Sequence, residues 1–126
     1  MRFMIQVRAT AATEAGEFPA DGTLTRRMSA YLADLANAGV LLDAAGLQPS
    51  AAGWRIEHLG GRSRVVDGPF ADTKELIAGY TLIQVRDRDE AMEWARRFPA
   101  PLGEGVAVTL EVRPLVEAED CQASAR

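Results

Sequence analysis

Hydrophobic and polar positions alternate from Arg2 to Arg8, with Phe3, Ile5 and Val7 on one side and Met4, Gln6 and Arg8 on the other. A period of two predicts a half-buried strand. Small and polar residues, with Gly16, Pro19 and Gly22, then predict a loop over 9–22. From Thr23, read as the cap, to about Ala38 the period becomes helical, and Leu24, Met28, Tyr31, Leu32 and Leu35 form one stripe. Gly39 is placed to end that helix in a left-handed conformation. Val40-Leu41-Leu42 predicts a short strand or an extended entry into the loop 44–49. Residues 54–59 and 62–67 alternate on either side of Gly60-Gly61, a hairpin signal because both link positions tolerate positive φ. That register sets Trp54 opposite Asp67 and Leu59 opposite Arg62. One face then carries Trp54, Ile56, His58, Ser63, Val65 and Asp67. The other, expected to be the wetter, carries a Glu57–Arg64 charge pair.

The second half repeats the grammar. Residues 77–86 alternate as a strand, and Asp87 with Glu90 has capping-box spacing for a helix whose stripe is Ala91, Trp94, Ala95 and Phe98. Glu93 and Arg97 are spaced for an i,i+4 pair, and Pro99 and Pro101 stop the helix. Val106, Val108, Leu110 and Val112 alternate through a last strand that Pro114 ends. The order is strand, helix, hairpin, strand, helix, strand: one α+β domain over residues 1–115, followed by an acidic tail over 116–126. Helices on one sheet face leave the other with Met4, Tyr80 and Leu82 beside Gln6, Arg8, Glu111 and Arg113. Such a half-apolar face can be covered by a second copy, and a homodimer is the expectation.

Composition narrows the function classes. The chain has 126 residues, 48% hydrophobic and 25% charged, which suits one globular domain and not a disordered segment. A net charge of −4 is the wrong sign for neutralising phosphates, so nucleic acid is not an expected partner. No apolar run approaches the ~20 residues that span a bilayer, and the N-terminal apolar stretch is too short for a secretory signal. Cys121 is the single cysteine, so no intrachain disulfide forms, and a cytoplasmic location is expected. No His/Cys cluster has metal-ligand spacing, and neither a phosphate-binding glycine loop nor a serine nucleophile elbow is present. No metal and no cofactor are expected.

The most distinctive stretch is Val66-Asp67-Gly68-Pro69-Phe70-Ala71-Asp72-Thr73-Lys74-Glu75-Leu76-Ile77-Ala78-Gly79-Tyr80. It resembles the signature of the YCII-related (DGPF) family. Arg2-Phe3-Met4, Gly39-Val40-Leu41, Gly46-Leu47-Gln48-Pro49 and Glu111-Val112-Arg113-Pro114-Leu115 match in order, so the resemblance covers about residues 1–120. Asp72 departs from it, since many relatives carry Glu after Phe-Ala. The resemblance implies a ferredoxin-like βαββαβ subunit whose dimer closes an α/β barrel around a cleft. It implies no particular reaction. A better-studied branch resembles muconolactone-isomerase-like dimers with a His–Asp pair. Here the central motif holds no histidine, and His58, the single one, lies in the preceding strand.

Two readings attach to the motif. In the structural one, Asp67-Gly68-Pro69 is a tight turn with glycine supplying permissive φ, Asp72 and Glu75 cap a short helical turn, and Phe70 anchors in the core. In the functional one, Asp67 ends a strand beside Trp54 and Ile56, where lost solvation suits a carboxylate to acid–base work. Lys74 is the only lysine among fourteen basic residues, and its compact ammonium suits a bound carboxylate. His58 is a weaker candidate for proton transfer, and Phe70, Glu75, Tyr80 and Trp54 are candidate binding residues. The function expected is isomerase- or lyase-like proton transfer on a small anionic molecule. The alternative is a non-catalytic ligand-binding or regulatory module, because family members are often encoded beside, or fused to, alternative sigma factors.

Overall fold

The computed structural model describes residues 1–124. Four strands, β1 (Arg2–Arg8), β2 (Leu41–Gly46), β5 (Ile77–Gln84) and β6 (Leu110–Pro114), form an antiparallel sheet in the order β2-β5-β1-β6. Two more, β3 (Trp54–His58) and β4 (Ser63–Asp67), form a separate hairpin inserted between β2 and β5. The helices are α1 (Ala11–Glu14), α2 (Thr23–Asn37), α3 (Arg88–Arg96) and α4 (Ala118–Ser124). The expected hairpin therefore exists, but β2 takes the place in the main sheet that the sequence reading left to it. The chain is a mixed α+β domain with two antiparallel sheets that do not close a barrel.

Period two in the central strands fixes the layers. Phe3, Ile5 and Ile83 point to the helix side, where Tyr31 and Leu35 of α2 and Ala91 of α3 meet them in a buried core. Ile5, Leu35 and Ile83 are fully buried, and each such side chain contributes roughly 1.5–3 kcal/mol relative to exposure. The opposite face has the composition expected of it: Met4 pairs with Leu82 and Arg113, and Gln6 pairs with Tyr80 and Glu111.

Helix ends show where local chemistry acts. Gly39 (φ 75°) ends α2: its N–H reaches Ala36 O, and the Val40 N–H reaches Leu35 O, both at 3.0 Å. At the other end Gly22, not Thr23, is the cap residue, and the Asp21 carboxylate accepts the Thr23 N–H at 3.0 Å. Asp87 caps α3 by accepting the Glu90 N–H at 2.9 Å. The Glu90 carboxylate turns to Arg86 instead of closing the box. That bond holds the Glu90 carboxyl below the usual carboxylate range. Arg97 does not pair with Glu93. It lies 4.3 Å above the Trp94 ring and 3.4 Å from Asp34 of α2, joining the two helices.

Other expectations differ. Thr10 and Thr13 cap each other reciprocally and turn 11–14 into a helical turn inside the expected loop. Residues 106–109 are not strand, because the ladder with β1 begins only at Leu110 opposite Val7. The segment read as a tail carries α4. It is preceded by a two-bond contact from the Arg2 guanidinium to the Glu117 carboxylate, both bonds 3.0 Å, which pushes that carboxyl's pKa down. Cys121 lies in α4 and is exposed. The expected tail's last two residues lie outside the described ones.

The hairpin register is as expected, Trp54 opposite Asp67 and Glu57 opposite Arg64, with an Arg64–Glu57 ion pair at 2.7 Å. Its sidedness is reversed. Trp54, Ile56 and Val65 face solvent at 64%, 56% and 65% exposure, while Arg55, Glu57 and Val66 on the other face are half-buried. The physical reason is local: the Arg55 guanidinium lies 3.8 Å above the Phe70 ring and 3.8 Å from Glu75, so the charged face has partners within the chain and the apolar face has none.

Candidate functional site

The central motif is built against the 3₁₀ turn Ser50–Ala52. The Gly68 N–H donates to Gly53 O at 3.0 Å, and the Gly68–Pro69 peptide is cis. A Cβ on Gly68 would lie 1.8 Å from Ser50 O, so any side chain here must displace backbone. Gly68 does not have positive φ, which corrects the reason expected for this glycine. The Phe70 N–H donates to Ser50 Oγ at 3.0 Å. Ser50 in turn donates its N–H to Glu14 Oε1 at 3.0 Å and its hydroxyl to Glu14 Oε2. Glu14, Ser50 and Phe70 thus brace the motif from α1. Phe70 is half-buried beneath Arg55 and lies outside the core cluster it was expected to anchor.

This brace delivers the next turn, Thr73–Glu75, whose cap Asp72 accepts the Lys74 N–H at 3.0 Å. Lys74 there meets the end of β1. The β1–β5 register shifts between Val7 and Arg8, re-aiming Arg8 at the strand's exit. The Arg8 N–H donates to Thr109 O at 3.0 Å and the Ala9 N–H to Leu76 O at 3.1 Å, fixing three segments side by side. Together they line a pocket of about 430 Å³ formed by Arg8, Ala9, Thr10, Thr73, Lys74, Ala107, Val108 and Thr109. Its lining holds two cations, three threonines and no carboxylate. Neither cation forms an ion pair with a described residue. An ammonium, a guanidinium fork and neighbouring hydroxyls suit a carboxylate or phosphate.

Of the residues singled out by sequence, Lys74 lies in this pocket. Asp67 is exposed at the base of the hairpin and does not line this pocket. His58 is exposed near the hairpin tip, opposite Ser63, four residues along the ladder and roughly 13 Å from the level of Asp67. The two are not brought together. Glu75 points away from the pocket to Arg55. Trp54 is on the exposed hairpin face. Tyr80 stands on the open sheet face and donates its hydroxyl to Asp43 Oδ2 at 3.0 Å, a bond that raises the phenol's pKa. Sequence reasoning missed Arg8, Thr109, Glu14 and Ser50. Arg8 was read only as a sheet-face residue, and the others gain meaning only from contacts distant in sequence. Among the described residues, no group of three His, Cys, Asp or Glu could hold a metal ion, and no helix is long and apolar enough to cross a membrane.

The model of the YCII-related domain family matches residues 1–116. An uncharacterised protein of Rhizobium meliloti (strain 1021) is 40% identical over 76 residues, which is 60% of this chain and 61% of the relative. The match therefore spans less than two thirds of that relative's own length.

Proposed function

The chain belongs to the YCII-related domain family, and from that premise we propose that it binds a small anionic molecule between Arg8 and Lys74, acting as a homodimer. The observation that carries this reading is the pairing of two uncompensated cations in one pocket free of carboxylates. The sheet order β2-β5-β1-β6, with α2 and α3 packed on one face, fits a ferredoxin-like subunit. In the proposed dimer the open sheet faces meet to close an α/β barrel, and the exposed apolar hairpin face of each copy is covered by the other. The cytoplasm is the compartment this reading assigns.

Calorimetric titration with small mono- and dicarboxylates tests the binding reading. Lys74→Ala is expected to weaken binding about tenfold or more, because a charge-assisted contact contributes roughly 1.5–3 kcal/mol. Unchanged affinity in the variant contradicts it. Isomerase- or lyase-like proton transfer on that anion needs an acid–base group at the pocket, and Asp67, exposed at the hairpin base, lines no part of it. Asp67→Asn is therefore expected to leave anion binding unchanged. A regulatory reading, docking on an alternative sigma factor, draws on the exposed Trp54, Ile56 and Val65 face. Co-purification of a sigma factor that is lost on Val65→Glu supports it; co-purification unaffected by that change does not.

A further inference from the structure

On the helix side of the sheet, away from the Arg8–Lys74 pocket, lies a second cavity of about 360 Å³. Its floor is made of small residues, Ala44, Ala45 and Gly46 of β2 with Ala78 and Gly79 of β5. Its wall is the N-terminal part of the α2 stripe, including Leu24 and Met28, and the segment after α3 closes a side. The space is partly open to solvent and reaches the edge of the core, and an apolar hollow of this size needs a reason. The reason lies in the sequence of β2. The strand ends in Ala44-Ala45-Gly46, so its contribution to the lining is nothing larger than alanine.

The lining sets the chemistry. No charged residue is in it, so an ion entering would lose its solvation with no counter-charge. The polar residues of the lining are Thr13, Thr81 and Tyr80, and the Tyr80 hydroxyl is committed to Asp43. The Thr13 hydroxyl is committed, accepting the Thr10 N–H and donating to Thr10 O. Thr81 is 2% exposed, and its hydroxyl forms no side-chain hydrogen bond among the described residues. No fully enclosed side-chain oxygen or nitrogen lacks a partner, so this hydroxyl must border open space, and the cavity it lines is that space. A hydroxyl that opens onto this space can both donate and accept, which makes it a hydrogen-bonding point for a ligand atom. At water's share of ~30 Å³ per molecule the cavity has room for roughly a dozen non-hydrogen atoms.

We propose that this cavity is a binding site for a small, largely apolar, uncharged molecule of up to about a dozen non-hydrogen atoms, carrying one hydroxyl or carbonyl that hydrogen-bonds to Thr81. The site is independent of the anion pocket, since the two share no lining residue.

Titration of the full chain with 4-methylphenol, toluene and benzoate, followed by calorimetry and by the ¹³C-methyl resonance of Met28, tests it. 4-Methylphenol is expected to saturate the protein and shift the Met28 methyl, and toluene to bind more weakly. Benzoate is expected to leave that methyl unmoved. Thr81→Val should weaken 4-methylphenol about fivefold, the usual worth of one neutral hydrogen bond, and leave toluene unchanged. Ala44→Leu should abolish both. The proposal is overturned if 4-methylphenol does not saturate, if benzoate shifts Met28 equally, or if Thr81→Val weakens toluene as much as the phenol. Should Ala44→Leu fail to fold, the Met28 response of the unaltered chain decides: no shift at saturation overturns the site.

Discussion

Gly68 and Tyr31 show how single side chains, or their absence, hold this molecule. With Ser50 O 1.8 Å from where a Cβ would sit, Gly68→Ala must displace backbone. It is expected to cost about 2 kcal/mol, as over-packing does, measurable by urea unfolding. Tyr31 is buried between the helices, its ring edge-on to Phe98 and its hydroxyl donating to Trp94 O at 2.7 Å. Burial pushes its pKa from 10.0 up to about 12. The folded state therefore keeps the proton to higher pH than the unfolded state. Its contribution to stability is whole below pH 10 and is lost as pH rises to about 12. Tyr31→Phe should cost about 1 kcal/mol at neutral pH and flatten the alkaline fall in stability between those values. The helical spacing of Tyr31 made its burial legible in sequence. The need for Gly68 was legible as a turn glycine but not as a contact with Ser50, eighteen positions earlier, because close approach is a property of two segments.

At the level of elements, the strongly periodic segments, β1, α2, β5 and α3, were legible because one face of each is buried in the same core. β2 was not. Its Asp43-Ala44-Ala45-Gly46 run has low strand propensity, and pairing with β5 supplies what its side chains do not. The hairpin register was legible from Gly60-Gly61 and the charge pair, and its sidedness was not, since the contacts of Arg55 with Phe70 and Glu75 that cover the charged face join positions far apart in sequence. Trp54, Ile56 and Val65 left uncovered in one chain are what a subunit surface offers a partner. In the proposed homodimer a second copy covers that face, so Val65→Glu is expected to shift sedimentation velocity from dimer to monomer with the far-ultraviolet circular dichroism unchanged. A dimer that persists in the variant contradicts the use of that face.

Across the whole molecule, two chemistries stand apart. At the exit of β1 is a polar pocket with two cations; beneath α2 is an apolar cavity with the Thr81 hydroxyl in its lining. Lys74 was legible as a candidate because it is the only lysine in an arginine-rich chain. Arg8 and Thr109 were not, because 101 positions of sequence separate them and only the sheet brings them to one rim. The most direct test of the anion site is an amide ¹⁵N–¹H titration with succinate on the unaltered chain and on the Arg8→Ala/Lys74→Ala variant. The account predicts saturable shifts concentrated on Thr10, Thr73, Lys74 and Thr109, absent from the variant. Shifts that scatter over the surface without saturating, or that persist in the variant, contradict it.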